Sequence, residues 1–245
     1  GVVVSGHLGE LFLESHGVVF SPETARINEF SVKNTDVSLT LENMEDTDTT
    51  TTEPIYWKIL LDEIDFENVG FALNMPQDSL FVRTMLPKTT LKNGVIDLKE
   101  ASYYVKSFGI DNAELAYGPK EELFLQQIGL QLDSIYYCGK DIRANIEEFV
   151  LKERSGLELV STEGRIVSDS VLIEIPKFTM KTTASSLDLQ TKIGWDVLEM
   201  KKTGVLSAKI NAEIGKGDVA KILGGRDTRF LQTYPNKPVV FRADA

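Results

Sequence analysis

The sequence predicts an all-β fold: an elongated, curved antiparallel sheet that forms a groove or a flattened, taco-like sandwich, with one short helix near residues 218–223. Three observations predict it. Apolar and polar residues alternate through most of the chain, as Ala208, Ile210, Ala212 and Ile214 do against Lys209, Asn211 and Glu213, the pattern of a strand with one face buried and the other wet. The alternation also switches phase, near Asn34 and Thr35 and again at Glu67 and Asn68, which implies a bulge or turn at each break. Finally, a pattern recurs. Ile27, Phe30, Lys33, Thr35, Ser38, Leu39 and Leu41 stand in the register of Ile175, Phe178, Lys181, Thr183, Ser186, Leu187 and Leu189, with a weaker copy at Val105, Phe108, Ile110, Leu115 and Tyr117. Such self-similarity marks stacked supersecondary units, none of which can bury its apolar face alone.

Each copy has a glycine upstream (Gly17, Gly94, Gly164) followed by a short β-prone run, so the expected unit is turn, strand, short loop, strand. In chain order, Leu11 and Leu13, then Val18 and Phe20, mark short strands, with Ser21, Pro22 and Glu23 as a turn. Residues 43–53 are acidic and Thr-rich with almost nothing apolar, and read as a mobile loop that cannot offset its ordering entropy. Its Glu45, Asp46 and Asp48 lack the glycine and distal Glu of a calcium loop. Residues 55–75 alternate again. Asn93 and Gly94 are the strongest hairpin signal, because a type I′ turn needs positive φ at both central residues. Gly118 and Pro119 divide a first module, 1–118, from a second, 119–245, continuous with it. Ile128, Leu130 and Leu132 form a clean strand. Later, Asp218 is placed to cap a helix over 219–223 that Gly224 and Gly225 stop, and Arg229 to Leu231 and Val239 to Phe241 read as further strands.

The chain has 245 residues, enough for a sizeable core, and 42% are hydrophobic, an ordinary value for a globular protein. No apolar run approaches the roughly 20 residues of a membrane helix. The opening residues lack the basic region and apolar block of a signal peptide. The start on Gly1 and the strand-like final residues indicate an excised piece of a longer protein. A formal net charge of −11 opposes a nucleic-acid partner, whose phosphates require clustered Lys and Arg. Cys138 is the one cysteine, so no internal disulfide exists.

Catalytic and metal motifs are missing. His7 and His16 are the two histidines, and neither belongs to a zinc-binding pair. The glycines at 215, 217, 224 and 225 lack the spacing and terminal Lys-Ser/Thr of a phosphate loop, and serve as turns. Paired carboxylates read as a solvated face, and Thr182, Thr183, Ser185 and Ser186 as strand and turn formers. These readings point to a non-enzyme with no cofactor. The apolar face of so many short strands must fold over on itself, meet a second sheet, or hold an apolar guest.

Residues 149–159 read FVLKERSGLEL and 173–189 read IEIPKFTMKTTASSLDL. With the later AKINAEI from residue 208 and Asp218-Val219, these resemble the TamB-like proteins of the AsmA/TamB superfamily, in particular their Bacteroidetes forms. The resemblance is loose over most of the chain and best over 124–223. It implies a periplasmic part of an inner-membrane-anchored protein, whose stacked β units form a groove that shields phospholipid acyl chains on their way to the outer membrane. It also implies a role in outer-membrane protein assembly with a barrel partner. Ile128, Leu130, Leu132, Ile173, Ile175, Phe178, Met180, Leu187 and Leu189 are the candidate groove lining. Two alternatives stand beside this one. One is a scaffold that offers strand edges to barrel proteins by β-augmentation without lipid. The other is a cell-surface glycan-binding module, with Trp57, Tyr103, Tyr104 and Trp195 in one shallow cleft.

Overall fold

A computed structural model describes residues 2–20, 23–42, 56–200, 204–224 and 228–244. The fold is all-β: β1 (Val2–His7), β2 (Glu10–Phe20), β3 (Glu23–Leu41), β4 (Lys58–Met75), β5 (Leu80–Asp97), β6 (Ser102–Tyr117), β7 (Leu123–Cys138), β8 (Asp141–Glu153), β9 (Glu158–Ser168), β10 (Leu172–Thr182), β11 (Ser186–Gly194), β12 (Leu206–Ile214) and β13 (Val239–Asp244). Among the described residues three short helices accompany them, α1 (Trp195–Leu198), α2 (Lys216–Leu223) and α3 (Thr228–Thr233). The chain forms two compact units, Gly1–Gly129 and Leu130–Ala245, and the division falls inside β7.

In the first unit the strand order is β1-β3-β4-β5-β6-β7, and β2 pairs with the same side of β3 as β1 does. The β3–β4 pair is parallel and the other registered pairs are antiparallel, a departure from the purely antiparallel expectation. Parallel neighbours need a connection of a dozen or more residues, and residues 42–57 supply one. The pair has a constant offset: Ile27 meets Leu61, Phe30 meets Ile64, Val32 meets Phe66, Val37 meets Phe71 and Leu39 meets Leu73. The β3 pattern is thus repeated in β4. The 27–41 copy of the sequence pattern is one strand, the 105–117 copy lies in β6, and the 175–189 copy is the β10–β11 hairpin, so those copies are not equivalent units. Nor are Gly17, Gly94 and Gly164 turns. They lie inside β2, β5 and β9.

The phase switches are bulges that stack across the sheet. Asn34 and Asn68 have φ of 49° and 54° and stand outside the β3–β4 register, and the Asn68 amide donates to Asn34 Oδ1 at 3.2 Å. Pro87 continues this line on β5, where it too has no partner in β4, as suits a residue without an amide proton. A second line runs through His16, Asn28, Asp62 and Asn93, each skipped by the register. His16 Nδ1 bonds to Asn28 Oδ1, and Asn28 donates to Asp62 at 2.8 Å. Asn93 thus has its positive φ of 53° in mid-strand, and the expected 93–94 hairpin is a bulge. A Cβ on Gly94 would lie 3.1 to 3.3 Å from Leu91 and Leu61, so close packing explains that glycine.

In the second unit the order is β7-β8-β9-β10-β11-β12-β13, with every registered pair antiparallel. The ERSG sequence makes the tight β8–β9 turn, where the Gly156 amide donates to the Glu153 carbonyl at 2.8 Å with Gly156 at φ 86°. Asp169 closes the β9–β10 turn by accepting the Val171 and Leu172 amides at 2.7 and 2.9 Å. Those bonds hold its carboxyl below the usual aspartate range. Residues 229–231, expected as strand, belong to α3, and α1 was not foreseen. The expected 43–53 loop with Glu45, Asp46 and Asp48, and Ser21, Pro22, Gly225, Arg226 and Asp227, lie outside the described residues. No described helix is long and apolar enough to cross a membrane.

Candidate functional site

The bulges have one consequence for the side chains. Each extra residue flips the alternation, so apolar positions on both sides of a bulge stay on one face. Along β3 these are Ile27, then Phe30 and Val32, then Val37, Leu39 and Leu41; β4 repeats them with Leu61, Ile64, Phe66, Phe71 and Leu73. Cross-strand neighbours share a face, so rows form across the first unit: Ile64, Leu91 and Phe108 in one, Phe66, Thr89 and Ile110 in the next. The Phe30 and Phe66 rings meet edge to face with centroids 6.2 Å apart.

The second unit has the same design. Ile173 and Ile175 have one parity and Phe178 and Met180 the other, with a register shift at Pro176 and Lys177 between them. Ile173 pairs with Ile193, Phe178 with Leu189, and Met180 with Leu187, and the rows extend to Ile210 and Ala212 on β12. Six of the nine sequence candidates, Ile173, Ile175, Phe178, Met180, Leu187 and Leu189, therefore share one face of adjacent strands. Ile128, Leu130 and Leu132 share a parity along β7, Ile128 in the first unit and the other two in the second. All nine are half-buried. Sequence reasoning missed Ile193 and Ile210 in this unit and the whole β3–β4 face of the first. The signal for the latter was the constant spacing of Phe30 to Ile64 and Asn34 to Asn68.

Among the described residues of each unit no second layer packs on this face; the substantial contacts between strands run between sheet neighbours. The buried apolar side chains among the described residues are Val32, Leu61, Ala113 and Ala116, and no large side chain is fully enclosed. A closed sandwich of this size would enclose many. The opposite face carries charge. Lys33 pairs with Glu67 at 3.2 Å, Lys92 with Glu63 at 3.0 Å and Lys192 with Glu174 at 3.0 Å, and the hydrogen bonds to Glu67 and Glu63 raise the Lys33 and Lys92 ammonium pKa values. These exposed pairs set polarity more than stability.

One polar cluster is buried. Asp218 was expected as the helix N-cap, but Gly215 holds that position and α2 begins at Lys216. The Asp218 side chain, 3% exposed, instead accepts hydroxyl hydrogen bonds from Thr182, from Thr183 at 3.3 Å and from Ser185 at 2.6 Å, all in the β10–β11 turn. Lys221 adds a donor to Thr183 at 3.1 Å and lies 3.9 Å from the carboxylate. Burial pushes the Asp218 carboxyl up, yet the Ser185 and Thr182 hydroxyls and the Lys221 charge outweigh it and hold it below the ordinary aspartate value. The Thr-x-x-Ser motif is thus a latch between hairpin and helix.

The remaining sequence candidates are dispersed. His7 is exposed on β1, and His16 lies in the bulge line. Tyr103 pairs with Ile96 and its neighbour Tyr104 with Val95, on opposite faces of the first unit. Trp57 meets Phe20 edge to face, whereas Trp195, in the second unit, donates to the Asp169 carbonyl at 2.7 Å. No protein-family model matches the chain, and neither a curated protein nor a solved structure does.

Proposed function

We propose that the protein is a non-enzymatic part of a TamB-like, inner-membrane-anchored periplasmic protein, and that its apolar face shields phospholipid acyl chains in transit to the outer membrane or during outer-membrane protein assembly. The observation that carries this reading is the apolar face of each unit, which among the described residues has no covering layer and which is interrupted at β9, where Ser168, Gly164 and Thr162 stand opposite Ile173, Phe178 and Met180. Burying a methylene contributes about 0.8 kcal/mol, roughly half of that when one side stays exposed. An acyl chain laid along the rows would therefore bind without polar contacts, and no catalytic group is needed.

The test is native mass spectrometry with lipid extraction on the purified chain, after incubation with detergent-solubilised phospholipid. Phospholipid should be retained by the parent and by Thr179→Glu, which changes the charged face. It should be lost from Phe178→Glu. Equal retention by the two variants, or none by the parent, would refute the reading. A second reading, a scaffold that pairs with barrel-protein strands, is favoured by one observation: every described side chain of β1 and β2 is exposed.

A further inference from the structure

Two hydroxyls on the apolar faces have nothing to bond. Thr89 on β5 stands in the row between Phe66 and Ile110, and Thr162 on β9 stands opposite Met180. They are 7% and 3% exposed, and neither Oγ1 has a hydrogen-bond partner among the described residues. Other threonines of the same faces differ: Thr84 donates to the Glu114 carbonyl and Thr191 to the Ser207 carbonyl, each at 2.9 Å. The two positions also correspond. Each threonine lies two residues after one that the register skips, Pro87 between β4 and β5 and Val160 between β9 and β10. We propose that Thr89 and Thr162 donate hydrogen bonds to carbonyl oxygens of the guest, and that the guest is therefore an acyl ester and not a bare hydrocarbon.

A buried hydroxyl without a partner destabilises the empty chain, whereas valine has the same shape, suits a strand equally well and carries no such cost. The cost disappears if the acceptor arrives with the guest. The row partners of the two hydroxyls are Phe66, Ile110 and Met180, with no cation among them, so the acceptor they suit is a neutral carbonyl and not a phosphate or a carboxylate. A single donor within an apolar row matches a molecule that is apolar over most of its length and has an acceptor at one point. That is the form of a fatty-acyl ester: its hydrocarbon needs no polar contact, and its carbonyl does. Access requires no change of backbone. One turn about χ1 exchanges the hydroxyl and methyl positions of a threonine, and Met180 is unbranched and moves aside easily. The inference rests on the lipid reading above and adds which part of the lipid is recognised.

The test is a competition. The lipid-free chain is incubated with equal amounts of detergent-solubilised diacyl phosphatidylethanolamine and its dialkyl ether analogue, which has the same headgroup and chain length but no carbonyls. Native mass spectrometry reads which is retained. The parent should favour the ester at least about threefold, the effect of one neutral hydrogen bond. Thr89→Val combined with Thr162→Val should abolish the preference and retain the ether lipid as the parent does. Thr84→Val removes a hydroxyl that already has a partner and should leave the preference unchanged. In urea titration of lipid-free protein, Thr89→Val and Thr162→Val should each be at least as stable as the parent. Equal retention of the two lipids by the parent would overturn the proposal and leave the lipid reading standing. So would a preference that survives in the double variant, or a loss of stability in the single ones. Retention of neither lipid would overturn both.

Discussion

Replacing Asp218 tests how far one buried carboxylate holds the second unit together. In Asp218→Ala, three hydroxyl donors lose their acceptor, and Lys221 loses its counter-ion. Hydrogen bonds to a charged group contribute about 1.5–3 kcal/mol each. The loss is smaller than their sum, because Thr182 Oγ1 can still donate to the Ser185 carbonyl at 3.2 Å and Ser185 Oγ still accepts the Gly215 amide at 3.1 Å. The expected cost is about 2–4 kcal/mol, read by urea denaturation, with faster hydrogen exchange at Ser185 and Gly215. Asp218→Asn keeps one acceptor oxygen and should cost about half as much. The pH dependence has a fixed sign. A carboxyl held low in the fold contributes fully above its unfolded value of about 3.9, and the contribution disappears as pH falls through the lower folded value. Asp218→Asn should remove that acid-side loss. A cost below about 0.5 kcal/mol for Asp218→Ala, or an unchanged acid limb in Asp218→Asn, would refute the latch.

Two further outcomes are expected. Asn68→Val should destabilise by about 1–2 kcal/mol in urea titration, since a β-branched residue is a poor fit to φ 54°, while Asn68→Gly should cost less than about half of that. Leu189→Ala should cost about 1 kcal/mol by the same titration. A Leu enclosed in a core would cost about 2–5 kcal/mol, and a value in that range would show that the face is covered.

The bulges were legible because they leave a trace in one dimension: Phe30 and Val32 have one parity, Val37 and Leu39 the other, and an Asn that tolerates positive φ stands between them. What occupies the partner strand is not a local property. Asn93-Gly94 has the chemistry of a hairpin turn, but a bulge makes the same demand for positive φ, and the strand continues because Asp62 on β4 is skipped opposite it. The parallel β3–β4 pair was hidden for the same reason, since alternation is identical in parallel and antiparallel neighbours. Asp218 looked like a cap because it precedes an apolar run; its hydroxyl partners lie 33 to 36 residues away. The helix at Thr228–Thr233 contains Phe230 and Leu231, which read as strand until their turn is closed by the Tyr234 amide on the Phe230 carbonyl.

Alternation alone could not separate an enclosed sandwich from an open face, because both place Ile, Leu, Val and Phe on one side of each strand. The bulge lines narrow the choice. At 19 residues β3 is far longer than the usual five or six, and at about 3.3 Å per residue it extends roughly 60 Å. If β3 kept a bulge at Asn34 and β4 had none at Asn68, Phe71 and Leu73 would turn to the face that holds the Lys33–Glu67 pair. Placing the extra residues in register across β3, β4 and β5 keeps the faces separate along the whole strand. An enclosed core needs that separation only over the patch it covers. Under the proposed lipid reading, an extended apolar guest would need that separation from end to end, which is the length over which the aligned bulges of β3, β4 and β5 maintain it.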